Sequence, residues 1–346
     1  MNNNINNNYT IKDIADLAEV SRATVDRVIH GRGKVSKDAY TKITQILKKI
    51  DYQPNLVART LRKGELYRLA VLVPDYEYDV YWKKAINGIN NAMLEYSFIG
   101  VTIDMFLFNP FKEASFVLNS KKILKGNYSG VLVSPVFYNE SIEFFKEADK
   151  AGLKYVTFNT QITESNTLSH VGQDLKQSGK TAASLFYKCN KNAKELLILH
   201  IDEDILNAKH MQEKEKGFRD YFINKGSFEI KTLRTGYNNI EKLLINHLEE
   251  YPDTSGIFVS TSKVHFIADI IEAYSLDMLL IGYDLIEENI EHLKSGNIDF
   301  LIFQNPRLQA SLALTMLVDH LAFNKEVPRL NHFPIEIVVK ENCSSF

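Results

Sequence analysis

The sequence predicts two folds in series: an all-α, helix-turn-helix head, then a larger α/β body with parallel sheets. Three observations lead there. Thr10 to His30 reads as two short helices joined by a tight turn. From Tyr67 onward, short apolar strands alternate with amphipathic helices, the pattern of parallel sheets covered by helices. The charge is also divided: residues 1–68 hold 13 Lys/Arg and 7 Asp/Glu, while the remainder holds 28 and 36. With 346 residues, the chain has room for two or three domains.

The head is legible element by element. Thr10 followed three residues later by Asp13 is a carboxylate variant of the capping box that starts a helix. Ile11, Ile14, Ala15 and Ala18 then repeat at helical spacing and give that helix one apolar face. Glu19-Val20 makes the turn, and Ser21 is an N-cap for the second helix. Val25, Val28 and Ile29 face inward on it, whereas Arg22, Ala23, Asp26, Arg27 and His30 share the opposite face. That face suits a DNA major groove, because an arginine in the first turn of a helix can donate two hydrogen bonds to guanine beside a small alanine. The competing reading is a solvated charged face on a three-helix domain.

After the second helix, His30-Gly31-Arg32-Gly33-Lys34-Val35 is a basic glycine-bearing loop. Its G-x-G follows a helix and not a strand, so phosphate contacts through Arg32, Lys34 and the backbone fit it better than a dinucleotide site. Ser36 caps a third helix, about Lys37 to Ile50, with Ala39, Ile43, Ile46, Leu47 and Ile50 turned to the first two. Asp51-Tyr52-Gln53-Pro54 breaks it. Asn55 to Gly64 can form a short helix that is too short to be stable in isolation. The predicted division is a disordered tail (1–8), a helix-turn-helix domain (9–54), a short helix and linker (55–68) and the body (69–346).

Composition narrows the function classes. An apolar content of 45% with 24% charged residues is ordinary for a globular protein. No apolar run approaches the length of about eighteen residues that spans a membrane. The asparagine-rich start lacks the basic and apolar regions of a secretory signal. Cys189 and Cys343 have no metal-ligand spacing and read as a buried thiol and a tail thiol in a reducing compartment. These features point to the cytoplasm. The sequence holds no nucleophile elbow, paired metal-ligand histidines or phosphate loop, so the expectation is a protein that is not an enzyme, with no metal and no cofactor.

In the body the expected strands are Leu69–Val73, Val101–Phe106, Gly130–Pro135, Tyr155–Asn159, Glu195–Ile201, Glu229–Arg234, Gly256–Ser260, Met278–Gly282 and Phe300–Phe303. A helix over Trp82–Tyr96 follows the first. Such sheets place ligand-binding loops at the strand C-termini.

The head resembles that of the lactose-repressor (LacI/GalR-type) transcriptional regulators. The resemblance rests on Val20-Ser21-Arg22-Ala23-Thr24-Val25, Arg27-Val28, Gly31-Arg32-Gly33, Val35-Ser36, Tyr52-Gln53-Pro54-Asn55 and Ala58-Arg59-Thr60-Leu61, which follow in the family's order without gaps. It implies a homodimer on double-stranded operator DNA. Arg22, Ala23 and Arg27 match the base-reading positions. The DNA-facing set extends to Thr10, Ser21, Thr24, His30, Arg32, Lys34, Asn55, Ala58 and Leu61, with Asn55 to Leu61, within the segment 55–68, matching the family's hinge helix and Leu61 as the wedge placed in the minor groove. Asp26 departs from the serine commoner in the family.

The body resembles the two-lobed periplasmic sugar-binding fold, most closely its ribose-binding-like branch, with an effector cleft between the lobes and three crossing segments. That resemblance carries a ligand set. Tyr81 and Trp82 stand where aromatics stack on the sugar, with core packing as the competing reading. Asn159 and Thr160 replace an Asp-Arg pair. Gln212 and Lys214 stand where sugar-binding arginines occur, although the run Gln212-Glu213-Lys214-Glu215-Lys216 itself reads as solvated charge. Thr261, in Ser260-Thr261-Ser262, replaces an Asn-Asp pair. Asp284 and Gln304 match the family best. The expected function is a DNA-binding regulator, a repressor, controlled by a sugar or sugar-like effector. Control by a protein partner, or by an anionic metabolite that Lys263 would attract, is the alternative.

Overall fold

The computed structural model describes residues 9–29, 33–50, 66–96, 99–190, 195–202, 206–225 and 228–346. The chain divides into two compact units, Met1–Glu65 and Leu66–Phe346. The expected tail, and most of the expected hinge with Asn55, Ala58 and Leu61, lie outside the described residues, as do His30 and Arg32.

The first unit contains α1 (Ile11–Ala18), α2 (Arg22–Ile29) and α3 (Lys37–Lys49). Thr10 and Asp13 form the reciprocal capping box of α1, which satisfies amides that a helix start otherwise leaves unpaired. Glu19 takes a left-handed conformation (φ 55°) that ends α1. Ser21 Oγ accepts from Thr24 N at 3.2 Å, and Ser36 caps α3. Ile14, Ala15, Ala18, Val25 and Ile43 form the buried centre, closed by Ile11, Val28, Ile29, Ile46, Leu47 and Ile50.

The second unit has two lobes, each built on a six-stranded sheet. One sheet joins β1 (Tyr67–Pro74), β2 (Val101–Phe108), β3 (Gly130–Val133), β4 (Lys154–Phe158), β5 (His170–Gly172) and β11 (Leu330–His332) in the order β11-β5-β4-β3-β1-β2. The other joins β6 (Glu195–Ile201), β7 (Glu229–Thr235), β8 (Thr254–Val259), β9 (Leu279–Tyr283), β10 (Phe300–Phe303) and β12 (Glu336–Val338) in the order β12-β10-β9-β8-β6-β7. All pairings are parallel except β10 with β12, an antiparallel strand at the edge of an otherwise parallel sheet, as the sequence predicts for the body as a whole. The central strands are buried along their length, as in Leu69–Val73 and Leu196–Leu199. Their unbroken apolar runs are what a sheet covered on both faces requires.

The chain passes between lobes three times: from β5 into the helix Leu175–Cys189, from β10 into the helix Pro306–Phe323, and from β11 to β12. Gln173 ties the three crossings together. It lies on the first, and its Nε2 donates to Phe303 O at 2.9 Å on the second and to Pro334 O at 2.7 Å on the third. Cys189, expected to be buried, is exposed. It ends its helix beyond Phe186, the last buried side chain there.

Candidate DNA-reading face and ligand cleft

On α2 the face opposite Val25 is solvent-exposed: Ser21, Arg22, Ala23, Asp26 and Arg27 are all exposed, and Thr24 is half-buried. Lys34 is exposed on the following loop. The stem of Arg27 lies near Gly33, whose φ of +71° is a left-handed conformation suited to glycine. Thr10 keeps its hydroxyl on the Asp13 carboxylate at 2.7 Å, so its side chain serves the helix cap first.

The cleft of the second unit lies at the C-terminal ends of the strands. The loop after β1 brings Asp79, Tyr81 and Trp82, the end of β4 brings Asn159, the helix Lys209–Phe222 brings His210 and Lys214, the loop after β8 brings Thr261 and Ser262, and the ends of β9 and β10 bring Asp284 and Gln304. Pro110 and Val136 complete it. Two of these ends carry a left-handed non-glycine residue, Asn159 (φ 70°) and Asp284 (φ 67°). Asn and Asp tolerate that conformation better than other side chains, and there it turns each side chain into the opening.

Of the eight residues expected to hold a ligand, Tyr81, Trp82, Asn159, Lys214, Thr261, Asp284 and Gln304 converge here. Thr160 does not. It is fully buried, and its hydroxyl donates to Asn159 Oδ1 at 3.2 Å. Tyr81 and Trp82 meet edge to face, with ring centroids 5.0 Å apart, and Trp82 also meets Phe158. They pack into the core and line the cleft at once. Asn159 Nδ2 donates to Tyr81 Oη at 2.6 Å, which fixes the phenol's direction.

Asp284 is the electrostatic centre. Gln304 donates to it twice, from Nε2 to Oδ2 at 2.6 Å and from its backbone N to Oδ1 at 3.1 Å. Burial pushes its carboxyl up to about 6, against the pull of Lys214, the two Gln304 bonds and Lys84. Asn289 holds the loop behind it by donating to Ser262 O, Tyr283 O and Asp284 O.

Lys214 departs from the solvated reading of its charge run. It is 2% exposed, its Nζ donates to Ser260 O at 2.9 Å, and it stands 3.5 Å from the centroid of the Tyr283 ring. Gln212 stays half-buried and bonds Leu206 O. Helix packing explains the difference. Gly179 and Gly217 let the helices Leu175–Cys189 and Lys209–Phe222 approach until a Cβ at either would overlap the other helix's backbone, at Lys214 O and Lys176 O. That contact presses the Lys214 turn inward. Glu215, next in sequence, anchors the same turn. Burial raises its carboxyl, but bonds from His200, Arg219 and Thr232 outweigh this and hold it at about 2.

Lys263 is neither in the cleft nor on the open surface. It is 9% exposed, 3.5 Å from Asp202 and 4.5 Å from the centre of the Phe111 ring. His210, Asp79 and Ser262 line the cleft without having been singled out. For His210 a signal was available, one helical turn before Lys214. Among the described residues, no group of three or more His, Cys, Asp and Glu side chains is placed to hold a metal ion, and no helix is long and apolar enough to cross a membrane.

Comparison with known proteins agrees with both units. Residues 10–55 match the family of bacterial regulatory proteins, lacI family, and residues 69–326 match the periplasmic binding protein domain. The chain belongs to the LacI family of bacterial regulatory proteins. Catabolite control protein A of Priestia megaterium is 27% identical to this LacI-family regulator over 295 residues, 80% of this chain and 82% of that one. A crystal structure from Bacteroides fragilis, assigned as a LacI transcriptional regulator, superposes with a TM-score of 0.77 at 29% identity, covering 82% of this chain and all of that one. A Burkholderia graminis solute-binding protein in complex with D-arabinose shares the fold, with a TM-score of 0.73 at 19% identity over 81% of this chain and 97% of its own. This chain is thus a DNA-binding transcriptional regulator with a sugar-binding-protein-like body.

Proposed function

We propose that this LacI-family regulator is a cytoplasmic repressor that binds a near-palindromic operator as a homodimer, and that a sugar in the cleft controls its operator affinity. The observation that carries the reading is the meeting of two chemistries in one opening. Tyr81 and Trp82 offer aromatic faces for the C–H surface of a ring, and Asp284 with Gln304 and Asn159 offers acceptors and donors for paired hydroxyls. Arg22, Ala23 and Arg27 read bases from the exposed face of α2, and Lys34 contacts phosphate. One head offers one such helix, so a dimer reads two half-sites about one helical turn apart. Residues 55–68 join the head (9–54) to the body (69–346) as the hinge.

A thermal-shift screen of neutral monosaccharides, sugar acids and sugar phosphates, repeated with operator DNA, tests the reading. A ligand at 100 times its dissociation constant adds about 2.7 kcal/mol of stability, and its effect on operator affinity gives the direction of control. Operator binding that weakens steeply with salt, with a dyad-symmetric footprint, supports the DNA part. A chain that responds to no sugar and only to a protein partner overturns the effector part.

A further inference from the structure

Asn207, which is not among the residues lining the cleft, joins the two lobes. Asn207 belongs to the second lobe, between β6 and the helix Lys209–Phe222, and is 5% exposed. Its carbonyl and side chain hydrogen-bond to the first lobe. Its carbonyl oxygen accepts from Tyr138 N at 2.9 Å, and its Oδ1 accepts from Asn139 N at 2.8 Å. Its Nδ2 donates to Glu140 Oε2 at 2.7 Å and to Glu113 Oε1 at 3.2 Å.

Tyr138 and Asn139 begin the helix Tyr138–Lys150, whose own N-cap, Phe137, supplies no side-chain hydrogen bond. The first amides of a helix have no acceptor within it, and asparagine is among the best residues to provide one. Here the cap comes from the other lobe.

We propose that Asn207 is an interlobe latch: it caps the helix Tyr138–Lys150 in trans when the lobes close, and so sets how much of the effector-free protein is closed. Opening the cleft strips the cap from two amides and separates the Asn207 amide from two carboxylates. Asn207 lies three residues before His210 and seven before Lys214, so closing the latch also brings the helix carrying both into the cleft. The consequence for ligand affinity rests on the reading of this cleft as the effector site. A ligand that binds only the closed form has an apparent dissociation constant divided by the closed fraction, so Asn207 tunes affinity without touching the ligand.

The test needs no effector, which separates failure of the latch from failure of the effector reading. Amide hydrogen exchange at Tyr138 and Asn139 is measured in the full-length wild type, Asn207→Ala and Asn207→Asp. Asn207→Asp keeps the acceptor at Oδ1 but sets a carboxylate against Glu113 and Glu140. The latch requires exchange at Asn139 to speed up about tenfold or more in Asn207→Ala, the factor that one or two net hydrogen bonds give a local opening. It requires at least as large an effect in Asn207→Asp. Amides of β3 keep their wild-type rates in both, showing an intact fold. Spin labels at Lys121 and Glu249, on the two lobes, with Cys189 and Cys343 replaced by serine, report the interlobe distance, which must lengthen in both variants. Unchanged exchange at Tyr138 and Asn139, or an unchanged distance, overturns the proposal.

Discussion

Asp284→Asn isolates the cost of keeping a carboxylate in the cleft wall. Asp284 is 2% exposed, and burial moves its carboxyl from an ordinary 3.8 up to about 6. A folded-state value above the unfolded one means that the folded protein holds this proton more tightly. The associated stability is complete below the unfolded value and is lost as pH rises through about 6. The displacement corresponds to about 3 kcal/mol. Asparagine has no proton to lose, so the stability difference between variant and wild type should shift by about 2 kcal/mol in the variant's favour between pH 4 and pH 7.5, pH 4 lying just above the unfolded value. The Asn amide cannot accept from both Gln304 donors, which costs about 1 kcal/mol but at every pH alike. The chain has a single tryptophan, Trp82, in the cleft itself, so urea unfolding followed by its fluorescence reports this region directly. A difference that stays flat from pH 4 to pH 7.5 would refute the argument from burial. The same titration should tighten binding of a hydroxyl-donating sugar about tenfold between pH 5 and pH 7, the ratio of ionised fractions about a midpoint near 6.

Arg22→Ala should cost roughly 1–3 kcal/mol of operator binding and relax the preference at one position of each half-site; fluorescence anisotropy with systematically altered operators checks this, and an unchanged preference would refute the placement of the reading helix. Gln173→Ala leaves Phe303 O and Pro334 O without their shared donor, at about 1–3 kcal/mol for each buried carbonyl, and the expected outcome is a lower urea midpoint with α1–α3 unaffected in far-UV and exchange measurements. Gly217→Val overlaps Lys176 O and should destabilise the body by roughly 1–3 kcal/mol while displacing Lys214, so that Trp82 fluorescence no longer responds to a sugar that shifts the wild type.

The capping signals Thr10-x-x-Asp13 and Ser36 were legible because they act within one turn of chain. The long apolar strands were legible because burial on both faces leaves an unbroken apolar run. The three-residue strands β5, β11 and β12 were not, since they occur where the chain crosses between lobes and owe their pairing to distant partners such as Leu330 beside His170. Tyr81, Trp82, Asp284 and Gln304 were found through resemblance, not through local pattern. Lys214 shows why local pattern fails at such a site. Its run alternates Glu and Lys like any solvated helix face, and only the approach permitted by Gly179 and Gly217 turns one of those lysines inward. Asn207 carries no local signal either, because its partners lie 67 and 94 residues away.

The placement of Gln304 gives a physical reason for the cleft to affect lobe geometry. Its side chain bonds Asp284 in the cleft, its carbonyl accepts from Gln309 Nε2 at 2.5 Å, and it directly follows Phe303, whose carbonyl receives Gln173. The residue that lines the cleft beside Asp284 is therefore also the first residue of a crossing, so no long relay is needed for a ligand bound there to bias the crossing's conformation. Asn305 continues the segment in a left-handed conformation (φ 55°) and caps the helix Pro306–Phe323 of the first lobe. A sugar that competes for Asp284 changes the partner of Gln304 and with it the end of that segment. It shifts the open–closed balance only to the extent that it binds one arrangement more tightly, and couplings of about 1–3 kcal/mol are what such effectors supply. The Asn207 seam, with four hydrogen bonds at about 1 kcal/mol each, amounts to roughly 4 kcal/mol, so a sugar that binds the closed arrangement more tightly adds to a seam of comparable or greater strength and does not have to supply closure alone.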